Sequence, residues 1–143
     1  METNLLDGSL NPVNVARVIK HNHDFFKSHP GYFRPEGLLV FCGEQGSGKT
    51  LSAVQYVKRL CEEYPNAVLC TNVQINGLSP ATEVVEYDGL ECLKNLENGY
   101  YGVIYLIDEI HLEFNSLESK NIDIEVMIEV SQQRKQRKHI IGT

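Results

Sequence analysis

Apolar residues recur along this chain in two rhythms, one helical and one strand-like. Val15, Val18, Ile19, Phe25 and Phe26, with Asn22 among them, fall largely on one helical face. Asn11-Pro12 marks the start of that helix, since Pro is tolerated in the first turn, and Pro30-Gly31 marks its end. Arg34-Pro35-Glu36-Gly37 then predicts a turn, and residues 1–10 are polar and expected to be loose. Leu38 to Cys42 is a continuous apolar run, as in a strand buried on both faces. Ala53, Val54, Val57, Leu60, Cys61 and Tyr64 return to helical spacing, and Pro65 stops that helix. Ala67 to Thr71 predicts a second buried strand and Glu83 to Tyr87 a short edge strand.

Asp88 and Glu91 have capping-box spacing, with Leu90, Leu93 and Leu96 on one face and Gly99 as a stop, which predicts a short surface helix over 89–98. Val103 to Ile107 is a third buried strand ending in Asp108-Glu109. Residues 111–120 are mixed and polar, as a loop is. A long helix is expected from Asn121 to about Lys138, with Ile122, Val126, Met127 and Val130 inward and Glu125 and Glu129 outward. His139 to Thr143 predicts a fourth strand. Strands alternating with helices mean an α/β fold with a mainly parallel sheet flanked by helices. The division expected is a helical extension over 1–36 and a core over 37–143.

A chain of 143 residues with 42% hydrophobic content can bury a real core. The net charge of −6 excludes a globally basic nucleic-acid binder. Its distribution is uneven, because Arg134, Lys135, Arg137 and Lys138 place four of the thirteen basic residues within five positions of an acidic chain. Of Cys42, Cys61, Cys70 and Cys92, three sit in apolar runs and read as small buried hydrophobes, and a reducing, cytoplasmic setting is the simplest account. No signal peptide is expected in residues 1–12, and no apolar run has the length of a membrane span. His21 and His23 are two apart on a helix and point away from each other, which does not suit joint metal binding.

The candidate chemistry starts at Gly43 to Thr50, GEQGSGKT, which fits G-x-x-x-x-G-K-[ST]. Residues without a Cβ let the backbone come close to an anion, and a helix that begins there presents free N–H groups to it. The candidate phosphate contacts are therefore Gly43, Glu44, Gln45, Gly46, Ser47, Gly48, Lys49, Thr50 and Leu51. Lys49 can reach the β- and γ-phosphates of ATP, and the Thr50 hydroxyl can ligand Mg²⁺. The strand before the loop and the helix after it are the context this motif needs.

Asp108-Glu109 supplies the second half. Asp108, at a strand end, would complete the Mg²⁺ shell, and Glu109 beside it would polarise an attacking water as general base. Two acidic residues in this order favour hydrolysis of ATP, and the N-K-x-D element of GTP-specific proteins does not occur. Asp108 to His111 also reads as the D-E-I-H box of helicases, although those require a second motor domain. His111 is either a contact of Glu109 or an uninvolved loop residue. The basic run admits three readings: a solvated helix end complementing the dipole, a grip on nucleic-acid phosphates, or an arginine finger from Arg134 or Arg137 into a neighbouring subunit. The sequence does not decide whether Tyr32 or Phe33 stacks on adenine.

In order, GEQGSGKT, VLCTNVQING, VIYLIDEIHLEF and SQQRKQRKHIIGT resemble the HerA/FtsK superfamily of additional-strand P-loop ATPases. Within it, the likeness is to zonula occludens toxin-like proteins and phage DNA packaging or assembly ATPases, and it spans about residues 37–143. Thr71-Asn72 and the basic lead into the last strand are the narrowing features. The resemblance implies a homo-oligomeric ring, often a hexamer, that moves DNA with ATP and Mg²⁺ and takes an arginine from the neighbouring subunit. It also implies a polar sensor at Thr143, followed by a Gln, a fifth strand and a final helix. On that pattern Ile140 and Ile141 would lie on a strand lacking cover on one side. Competing readings are an ATP-binding switch that moves no DNA, a helicase-like ATPase and a small-molecule kinase.

Overall fold

A computed structural model of the chain describes residues 11–96, 99–113 and 137–143. The chain divides into two compact units between Tyr32 and Phe33. The first contains α1 (Pro12–Ser28), which opens as expected: Asn11 caps it, its side chain accepting from the Val13 N–H at 3.1 Å. Near its end Phe25 stacks on His29 at 4.2 Å and meets Tyr32 edge-on at 5.2 Å.

The second unit holds β1 (Gly37–Val40), α2 (Lys49–Glu63), β2 (Val68–Thr71), β3 (Val84–Glu86), α3 (Cys92–Asn95), β4 (Val103–Ile107) and β5 (Lys138–Gly142). The strands form one all-parallel sheet in the order β1-β5-β4-β2-β3, an α/β arrangement. Side-chain alternation in β4 divides the core. Ile104 and Leu106 pack with Ala53, Val57 and Leu60 of α2 and with Leu69 and Ile141. Val103, Tyr105 and Ile107 face the opposite cluster, with Cys70, Cys92, Leu93 and Ile140. Burying both faces of β4 and β5 requires the continuous apolar runs seen in the sequence. Cys61, Cys70 and Cys92 are buried and Cys42 is exposed. Burial pushes the Cys61 thiol up to about 11 and the Cys70 thiol to about 12, as expected of packing residues rather than nucleophiles.

Four expectations are corrected. β1 is not buried on both faces: it ends the sheet with β5 as its one neighbour among the described residues, and Leu38, Leu39 and Val40 are 37–45% exposed. Conversely, β5 lies between β1 and β4 with partners on both sides, so Ile140 and Ile141 are buried rather than left uncovered. The helix over 89–98 shrinks to α3, and Asp88 does not cap it; its carboxylate instead accepts from the Cys92 thiol at 2.8 Å. α3 is not a surface element either, because Cys92 and Leu93 are buried.

Lys138, expected near the end of a helix, lies in a strand. Arg137 has a positive φ of 51° and Lys138 already belongs to β5. The segment from 111 starts as a helical turn over 110–113 rather than a loop, and the rest of the expected loop and long helix lies outside the described residues.

Candidate functional site

All five strands point the same way, so their C-terminal ends share one edge of the sheet. The phosphate loop leaves β1 there, and Asp108-Glu109 leaves β4 there. Gly48 caps α2 in the left-handed region with φ 85°, which a residue with a Cβ rarely adopts. Gly43 is constrained differently, since a Cβ on it would sit 2.7 Å from the Ser47 hydroxyl. The Lys49 ammonium folds back over the loop and donates to the carbonyls of Gly43 at 2.9 Å and Glu44 at 3.1 Å.

The two motifs meet through side chains. The Thr50 hydroxyl donates to Asp108 Oδ1 at 3.0 Å, joining residues 58 positions apart. Thr143, just past β5, donates its hydroxyl to the same carboxylate oxygen. Its hydroxyl also accepts from the Glu109 N–H at 3.3 Å, while its own N–H donates to the Ile107 carbonyl at 3.2 Å. Asn72, past β2, completes the arrangement: its Oδ1 accepts from the Asp108 N–H at 2.8 Å and its Nδ2 donates to the Asp108 carbonyl at 3.2 Å. Two strand ends and the first turn of α2 thus fix one aspartate.

Glu109 is held in the left-handed region with φ 56°, a sparsely populated conformation for a residue with a side chain. Its carboxylate lies 3.3 Å from His111 Nδ1, so of the two readings for His111 the contact is the one found. A cleft of about 280 Å³ is lined by Gln45, Gly46, Gly48, Lys49, Thr50, Leu51, Glu109 and Thr143. Its lining brings together the Lys49 ammonium, the Thr50 and Thr143 hydroxyls and the Glu109 carboxylate, with the Asp108 carboxylate bonded to both hydroxyls. Such a set can hold an anion beside a hard cation: Thr50 Oγ1 and Asp108 Oδ1, already 3.0 Å apart, are the oxygen ligands Mg²⁺ takes.

Of the basic run, neither of the two described residues lies at this cleft. Arg134 and Lys135 lie outside the described residues. Arg137 precedes β5, which places it at the opposite sheet edge from Thr143. Lys138 is 4% exposed, and its ammonium donates to the Leu93 carbonyl, so it is not available to grip nucleic acid. Phe33 is 2% exposed and packs on Tyr64 at 5.1 Å, which removes it as a stacking surface for a base.

Sequence reasoning did not count Asn72 among the site residues, although Thr71-Asn72 was a narrowing feature of the resemblance and lies at the end of a buried strand. It also missed how Thr143 bonds to Asp108, because nothing local shows that β5 inserts beside β4. Among the described residues no helix is long and apolar enough to cross a membrane. Comparison with family models, with curated proteins and with solved structures finds no match for this chain.

Proposed function

We propose that this chain is a P-loop ATPase that hydrolyses ATP, with Gly43 to Thr50 holding the phosphates and Glu109 acting as general base. One observation carries the reading: the hydrogen bond from Thr50 to Asp108, which unites a phosphate-loop hydroxyl with the acidic pair. The placement of β5 between the strand of the loop and the strand of the acidic pair supports it, since this is an additional-strand order. Thr50 and Asp108 would hold Mg²⁺, which neutralises phosphate charge when bound. Lys49 leaves its carbonyl partners to neutralise the β- and γ-phosphates, Glu109 takes a proton from water, and Thr143 keeps Asp108 oriented.

The use of this ATP follows from the resemblance: an oligomeric ring that moves DNA. Phosphate release by the intact protein, with and without DNA, tests both parts. No Lys49-dependent release sinks the ATPase, whereas release indifferent to DNA sinks only the translocase. The Glu109–His111 pair favours a second reading, an ATP-binding switch with little turnover, because it gives the base a partner other than water. That reading expects ATP binding untouched by Glu109→Gln and negligible hydrolysis in both proteins.

A further inference from the structure

A second cleft, of about 480 Å³, runs along the outer side of α2 and is lined by Phe41, Leu51, Ser52, Gln55, Tyr56 and Arg59. Leu51 lines both this cleft and the phosphate cleft, so the two are neighbours along the helix. Their order has a direction. Glu109 and Thr143 line the phosphate cleft at the end where the terminal phosphate would react. A triphosphate with its terminal phosphate at Glu109 and Thr143 would reach the second cleft past Leu51, the residue the two clefts share.

The second cleft offers what a purine needs. Phe41 and Tyr56 contribute rings with centroids 6.3 Å apart. Tyr56 is preset, because its hydroxyl lies 3.2 Å from Nε2 of the buried His139, whose Nδ1 lies 3.0 Å from the Gly37 carbonyl. Gln55 and Arg59 are exposed at the rim. A carboxamide presents a donor beside an acceptor, which complements N6 and N7 of adenine. The volume lies in the range of small-molecule sites.

We propose that this cleft is the nucleoside pocket, with the adenine base packed on Phe41 and Tyr56, its edge read by Gln55 and its ribose side flanked by Arg59. The proposal rests on the phosphate-site reading above. Calorimetric titration of the intact protein with ATP and with inorganic tripolyphosphate separates the two. Wild type is expected to bind ATP at least about tenfold more tightly than tripolyphosphate, the scale of one base stacked on an aromatic ring. Phe41→Ala should remove most of that preference, and Arg59→Ala and Gln55→Ala part of it, with tripolyphosphate affinity unchanged in all three. Arg59 and Gln55 are exposed, so those variants keep the test decisive if Phe41→Ala fails to fold. Equal affinity of wild type for the two ligands, or ATP affinity unaltered in these variants, overturns the pocket and leaves the phosphate site standing. Failure of wild type to bind either ligand overturns the phosphate site, and the pocket with it.

Discussion

Asn72 grips Asp108 by both halves of its main chain, accepting from the N–H at 2.8 Å and donating to the carbonyl at 3.2 Å. This clamp leaves the Asp108 carboxylate to Thr50 and Thr143. Replacing Asn72 with Leu keeps comparable bulk but removes both bonds. A misplacement of about 1 Å at a reacting centre can cost about 100-fold in rate. Asn72→Leu should therefore lower kcat about tenfold or more while KM for ATP changes little. A kcat equal to wild type would show that β4 alone positions the aspartate.

Glu109 carries two separable properties, a carboxylate and a positive φ of 56°. Glu109→Gln should retain ATP binding and lose about 100-fold in hydrolysis, the scale on which proton transfer contributes. Glu109→Gly loses the same chemistry but relieves the backbone. An Ala-to-Gly change ordinarily destabilises by about 0.5–1 kcal/mol, whereas a side chain in the left-handed region costs about 1–2 kcal/mol. Urea unfolding should find the Gly variant at least as stable as wild type. A clear loss of stability would mean that the His111 contact outweighs the strain.

Gly142 marks a close approach. A Cβ there would lie 2.6 Å from Ile110 Cγ2 and 2.8 Å from its Cδ1, and Ile110 is itself buried. Gly142→Ala should destabilise by about 1–3 kcal/mol through overpacking. Pairing it with Ile110→Val, which removes the Cδ1 methyl, should recover part of that loss in thermal unfolding. No recovery would assign the loss to the Cγ2 methyl, which valine keeps.

His139 makes stability sensitive to acid. Burial holds its pKa below the usual imidazole range, against the backbone carbonyls of Gly37 and Glu36, which act the other way. As pH falls below about 6.5 the unfolded chain takes up a proton that the folded chain does not, so stability falls, by at most about 1.4 kcal/mol per pH unit. The loss levels off once the folded imidazole also protonates. Urea midpoints measured from pH 7.5 to 5 should show a slope in wild type that His139→Gln removes. Identical slopes would assign the effect to other groups.

The sequence carried the site's ingredients better than its assembly. Gly43 to Thr50 and Asp108-Glu109 were legible as candidates because each is a pattern of fixed spacing within one short segment. β4 was legible because both its faces are buried, which leaves an unbroken apolar run. Leu38 to Val40 has the same kind of run and a different fate. Sheet order, which decides whether a strand is central or at an edge, is set by pairings 102 positions apart, such as that of Gly37 with His139. For the same reason Asn72, Thr143 and Asp108 showed no sign of meeting. The charge pattern misled at Lys138, where the ammonium is satisfied by the Leu93 carbonyl and the alkyl stem can pack in the core.

The insertion of β5 between β1 and β4 has a consequence in time. Neither neighbour pairs with the other directly in the sheet, so the backbone ladder that joins the strand before the loop to the strand before the acidic pair is supplied by residues 138–142. A ribosome adding about 5–20 residues per second needs about 5–20 seconds to travel from β1 to β5. Throughout that interval β2, β3 and β4 can already pair, while β1 and its loop wait for the strand that joins them. Among the described strands the proposed nucleotide site is therefore completed by β5, and the hydrophobic edges that will receive β5 are open until it arrives.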